Sequence, residues 1–103
     1  MTKPFYSLKN HCAAIEISGE EVGSFLNDIL TAELNLLPVG KMQMSCLLSP
    51  QGRILHDMLV YRIRTDCFWI EINKNQILDL KSRLAIYILR KKIEIQVIEN
   101  WHS

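Results

Sequence analysis

Asp57 is the residue of this sequence whose chemistry needs explaining. It stands in residues 49–62, "SPQGRILHDMLVYR", most of which reads as a buried β-strand. In an extended chain side chains alternate, so Asp57 shares a face with Leu55, Leu59, Tyr61 and Ile63, and His56 takes the other with Ile54, Met58, Val60 and Arg62. An ionised carboxylate on an apolar face costs on the order of several kcal/mol unless hydrogen bonds or a counter-charge replace its water. Asp57 therefore calls for a partner or an open pocket. Tyr61 follows on the same face about 13 Å away, at about 3.3 Å per residue. A flat bicyclic or aromatic ligand spans that distance, its ring nitrogens donating to the carboxylate while the phenol ring packs on it. The pattern alone favours a plainer reading, an aspartate satisfied by backbone amides with a core tyrosine nearby.

The remaining constellations carry less. The sequence holds no Gly-rich phosphate loop, no G-x-S-x-G elbow, no H-E-x-x-H pair, and no two carboxylates set for acid/base work. Cys12, Cys46 and Cys67 are odd in number and widely spaced, without a C-x-x-C pair or a histidine cluster, which points to reduced core thiols rather than a metal site. Arg90, Lys91 and Lys92 form a short basic run that reads as a solvated helix end. With 12 basic and 11 acidic side chains the formal charge is +1, so no global field draws the chain to nucleic acid or an anionic membrane. The aromatic strand motif of an RNA-binding sheet is also missing. The first residues lack a signal-peptide core, and no run of about eighteen apolar residues occurs. The expectation is a soluble cytoplasmic protein, or one of the mitochondrial matrix in a eukaryote.

The elements that must position Asp57 follow from periodicity. Residues 13–18 alternate Ile15 and Ile17 with Glu16, as a half-buried strand does. Ser18 and Glu21 have the spacing of a capping box, and Val22, Phe25, Leu26, Ile29 and Leu30 then recur at helical spacing. Residues 31–40 read as a loop. Residues 42–48 alternate as a strand, Pro50, Gln51 and Gly52 turn the chain, and the strand of Asp57 runs from 54 to about 64. Thr65 and Asp66 look like a hairpin tip before "CFWIEI". Asn73 or Asn75 caps a second helix with Ile77, Leu80, Leu84 and Tyr87 on one face, and Ile93, Ile95 and Val97 mark a last strand. The order β-α-β-β-β-α-β predicts an α+β fold, a mainly antiparallel sheet with two helices on one face, ferredoxin-like with an extra strand. At 103 residues it should be a single domain, 1–103.

"IEISGEEVGSFLNDILTAEL", "LLSPQGRILHDMLVYR" and "LRKKIEI", in that order, resemble the N-terminal part of the folate-binding YgfZ family, relatives of the aminomethyltransferase, or T-protein, of the glycine cleavage system. The resemblance runs over nearly the whole chain and is most specific in "PQGRILHDMLVYR". It implies the N-terminal portion of a longer, three-domain protein that holds tetrahydrofolate at the centre of its ring of domains. It also implies that the folate-binding residues include Asp57, at the position of the family's catalytic aspartate, together with Tyr61 and Asn73. There are departures: Met44 replaces a further folate-contacting tyrosine, His56 the first aspartate of a pair, and Gly52-Arg53 a pair of glycines. The K-G-C-Y-x-G-Q-E signature of the YgfZ branch is not contained in the sequence.

Three functions compete. The first is a tetrahydrofolate-binding domain of a YgfZ-like protein of iron–sulfur cluster assembly or repair, not itself catalytic in isolation, with iron–sulfur enzymes or assembly proteins as partners. The second is an aminomethyltransferase domain with Asp57 as its catalytic residue; the loss of the first aspartate to His56 counts against it. The third is an α+β interaction module that binds no small molecule and meets sister domains or a second copy of itself. Folate binding by this chain alone is expected to be weak or absent.

Overall fold

The structure of the chain, a computed structural model, describes residues 12–89 and 91–98. Apolar alternation produces strands β1 (Cys12–Ser18), β2 (Met42–Leu48), β3 (Ile54–Arg64), β4 (Cys67–Asn73) and β5 (Glu94–Ile98), and helical spacing produces α1 (Val22–Ile29) and α2 (Ile77–Tyr87). The order is the expected β-α-β-β-β-α-β. The strands form one antiparallel sheet in the order β2-β3-β4-β1-β5. Without the edge strand β2 this is the ferredoxin-like split β-α-β arrangement, so the additional strand lies beside β3.

Ile15, Ile17, Met58, Val60, Phe68 and Ile70 point to the helix side of the sheet, where they join Val22, Phe25 and Leu26 of α1 and Ile77, Leu80 and Leu84 of α2 in the main core. Tyr87, expected on the same helical face, is 54% exposed at the end of α2. In β2 the buried residues are Ser45 and Leu47, while Met42, Met44 and Leu48 are exposed. Ser45 tolerates burial because its Oγ accepts the Ala32 N–H at 3.1 Å. The neighbouring Thr31 accepts the Cys46 N–H at 3.0 Å and returns its own N–H to the Cys46 carbonyl. Residues 31–40, read as a loop, contain a 3-10 turn at Leu34–Leu36.

The capping box is not formed. Ser18 ends β1, paired with Cys67 and Glu94, and α1 begins after Glu21 with no side-chain cap. The chain turns at Gly19, whose φ of +145° suits glycine, whose N–H donates to the Asp66 carbonyl and whose carbonyl accepts from Val22. Backbone groups thus start the helix that a serine was expected to cap. At the far end of β4, Asn73 caps a 3-10 turn at Lys74–Gln76 that runs into α2, its Oδ1 accepting the Asn75 N–H at 2.9 Å. Among the described residues no helix is long and apolar enough to cross a membrane.

Candidate functional site

Both helices cover one side of the sheet, and the side of Asp57 is left without them. Asp57 is exposed there, so its charge keeps its water, and the desolvation cost expected for a carboxylate in a buried strand does not arise. Among the described residues no group donates a hydrogen bond to the Asp57 carboxylate. It faces Cys46 across the β2–β3 pair, and Met44 faces Leu59 one step on. Leu59 and Cys12 are buried on this side, with Tyr61 packed against them.

Tyr61 is half-buried, and its hydroxyl donates to Oε1 of Glu71 at 2.8 Å. Glu71 is fully buried in β4, opposite Leu59 on one side and Ala14 on the other. The Trp69 indole, across from Tyr61, donates to Oε1 of Glu16 at 3.0 Å. Around Asp57 and Tyr61 this face therefore presents an exposed carboxylate, a phenol anchored to Glu71 and an apolar floor of Leu59 and Cys12. Asn73 is exposed, opposite Cys12 at the end of the same sheet. Its side-chain oxygen serves the 3-10 turn, so the group it can offer a ligand is the amide NH₂. The three expected residues thus share the open face, Asp57 and Asn73 at the end where the β3–β4 pairing stops and Tyr61 four residues further along β3, opposite Trp69.

Glu71 escaped the sequence reading. The signal was there, since a glutamate inside "CFWIEI" raises the question that Asp57 raises in its own strand. Its partner was not legible, because the bond crosses strands.

His56 turns the other way. It is 6% exposed on the helix side, with Nδ1 2.6 Å from Oε1 of Gln76 and Nε2 2.6 Å from Oδ2 of Asp79. Arg83 also donates to that carboxylate oxygen at 2.7 Å, and its hydrogen bond, with that of His56, holds the Asp79 carboxyl below the usual range. Because position 56 faces α2, exchanging a carboxylate for an imidazole there alters the α2 contact and removes nothing from the face of Asp57. Arg62 is also on the helix side, donating to the Leu37 and Thr65 carbonyls at 2.9 and 3.0 Å with Phe68 beneath it. It fastens the loop before β2 to the sheet.

The thiols are free. Burial, together with the Glu71 carboxylate, pushes the Cys12 thiol up, and burial with Glu16 does the same for Cys67 against the pull of Arg64. Among the described residues no group of three potential ligands could hold a metal ion. One cavity of about 170 Å³ lies between Leu48, Leu55 and α2, and one of about 570 Å³ beside Gly19, Arg64 and Lys92; neither includes Asp57, Tyr61 or Asn73. Among the described residues the candidate site is a sheet face that neither helix covers.

Known proteins resemble this chain in both sequence and fold. It is 34% identical over 65 residues to the aminomethyltransferase of Xanthomonas oryzae pv. oryzae, a stretch that is 62% of this chain and 18% of that protein. It is 33% identical over 64 residues to the aminomethyltransferase of Francisella philomiragia, with the same shares. The match therefore spans about a fifth of the length of these relatives. The crystal structure of glycine cleavage system aminomethyltransferase T from Bartonella henselae shares the fold with a TM-score of 0.81, covering 86% of this chain and 25% of that one at 22% identity. The model of the GCVT N-terminal domain family matches residues 9–100, more than half of the sequence, and the chain belongs to that family.

Proposed function

We propose that this chain binds tetrahydrofolate on its open sheet face, as the N-terminal domain of a longer protein whose other domains close over that face. The observation that carries the proposal is the pairing, on one face of β3, of the exposed Asp57 carboxylate with a Tyr61 phenol fixed by buried Glu71. A reduced pterin has N–H donors along one edge and flat faces. Asp57 accepts from the edge, Tyr61 packs on a face, and the Asn73 amide donates to an acceptor. When bound, tetrahydrofolate supplies the nitrogens that carry a one-carbon unit.

The test is a calorimetric titration of the full-length protein with 5-formyltetrahydrofolate, beside Asp57→Asn. Saturable binding that the substitution weakens supports the site; equal affinity in the variant removes Asp57 from it.

Two roles share this site. In the YgfZ-like role the bound folate serves iron–sulfur cluster assembly or repair, with iron–sulfur enzymes or assembly proteins as partners. In the aminomethyltransferase role Asp57 orients the folate amine or assists proton transfer as a one-carbon unit leaves its carrier. The curated relatives bear the second name, and the orientation of His56 toward α2, away from the face of Asp57, is compatible with it. Release of ammonia from an aminomethyl-lipoyl substrate by the full-length protein separates them: release selects the aminomethyltransferase, and its absence rules that role out.

A further inference from the structure

The backbone ladder between β3 and β4 runs from Arg64 and Cys67 to Leu59 and Glu71 and goes no further. Asp57 and Asn73 both lie past its end. There β3 is paired only with β2, as far as Ile54, and β4 only with β1, through Asn73 and Cys12. No hydrogen bond of the β3–β4 ladder fixes the separation of Asp57 from Asn73.

His56 spans that gap from the helix side. The residue beside Asp57 places its ring nitrogens 2.6 Å from Gln76 and 2.6 Å from Asp79. Gln76 is the last residue of the 3-10 turn that Asn73 caps, and Asp79 lies in the first turn of α2. The chain of contacts runs from Asp57 through its neighbour His56 to Gln76, and through the capped turn to Asn73. Buried at 6% exposure, the ring has little room for another rotamer. We infer that His56 is a positioning residue, a clamp between β3 and the β4–α2 junction that sets Asp57 and Asn73 at the spacing a folate ring requires. This inference rests on the folate reading for its consequence, though the clamp itself can be tested without ligand.

The experiment uses the full-length protein with His56→Ala, Gln76→Ala, the double variant and His56→Asn, whose amide nitrogen takes the place of Nδ1 and restores the Gln76 bond alone. Amide hydrogen exchange at Asn75, whose N–H the Asn73 side chain holds, reads the clamp, and titration with 5-formyltetrahydrofolate reads the site. His56→Ala and Gln76→Ala should each speed exchange at Asn75 and weaken binding about tenfold or more, because small misplacements of contact groups are costly. The double variant should be no worse than either single one, and His56→Asn should recover most of the affinity. Val22→Ala, a core change on α1, controls for lost stability and should leave affinity unchanged. If His56→Ala does not fold, Gln76→Ala and His56→Asn carry the test. Unaltered exchange at Asn75, or unaltered affinity in variants whose wild type binds, overturns the inference. Faster exchange with no binding by the wild type upholds the clamp and refutes the folate reading instead.

Discussion

Across the β3–β4 pair the hydroxyl of Tyr61 donates to Oε1 of Glu71 at 2.8 Å, and the glutamate has no exposed surface. The bond holds the phenol on the open face and gives a buried carboxylate a partner other than water.

Tyr61→Phe removes that donor from Glu71. A buried acceptor that loses a hydrogen bond costs about 1–3 kcal/mol, so the urea midpoint of the variant should fall accordingly. Glu71→Gln keeps an oxygen to accept from the phenol and should cost less. A midpoint for Tyr61→Phe equal to that of the wild type would mean that water replaces the phenol, and that Tyr61 is not anchored.

Much of this architecture was legible in the sequence. Ile15 with Ile17, and residues 54–64, show their strands through alternation, and Val22, Phe25 and Leu26 show α1 through helical spacing. Local pattern failed where tertiary contact decides. Ser18 has the side chain of a cap, yet Gly19, whose N–H donates to the Asp66 carbonyl, sets the start of α1. In β2 the methionines look like core residues, but the core takes Ser45 and Leu47, because Thr31 and Ala32 supply the bonds a buried serine needs. At the candidate site, alternation placed Asp57 and Tyr61 on one face and His56 on the other. Strand periodicity could not say that, among the described residues, one face lies under two helices and the other under none. The partners of His56 lie 20 and 23 residues away, beyond what any local period reports.

Asp79 links α2 to β3, and its titration should be visible in stability. Its carboxyl is held below the usual range in the fold by Arg83 first and His56 second. A group with a depressed folded pKa contributes stability above its unfolded value, near 4, and loses that contribution as pH falls through the lower folded value. Urea midpoints of wild type and Asp79→Asn should therefore differ at neutral pH and converge on acidification below about pH 4. The gap should also narrow in high salt, since Asp79 and Arg83 are exposed. A gap independent of pH would mean that the carboxylate charge is not what joins helix to strand.

The thiols differ in their surroundings. Cys12 and Cys67 are buried, with their thiols pushed up by burial and nearby carboxylates, while Cys46 is half-buried on the edge strand beside Asp57. Reaction of the native protein with an aromatic disulfide reagent at pH 8 should show one fast thiol, absent in Cys46→Ser, with the other two released only in denaturant. Three equal fast thiols would indicate that β1 and β4 open readily at the Cys12 and Cys67 positions.

Two glycines with positive φ offer a contrast in what a methyl group meets. At Gly52 in the β2–β3 turn, φ is +87° and a Cβ would meet open space, so Gly52→Ala carries only the conformational penalty of an L residue there, about 1–2 kcal/mol. At Gly19 φ is +145° and a Cβ would stand 2.3 Å from the Lys92 carbonyl oxygen, a backbone atom that cannot swing aside. Gly19→Ala must therefore move the chain before β5 away from the start of α1 as well as bear the strain. Its loss of stability should exceed that of Gly52→Ala by about 1–3 kcal/mol, the usual cost of forcing a group into packed space. Denaturation midpoints of the two variants measured side by side decide the point. Equal losses would show that the residues before β5 yield freely, and that the close approach at Gly19 does not hold β5 against the β1–α1 turn.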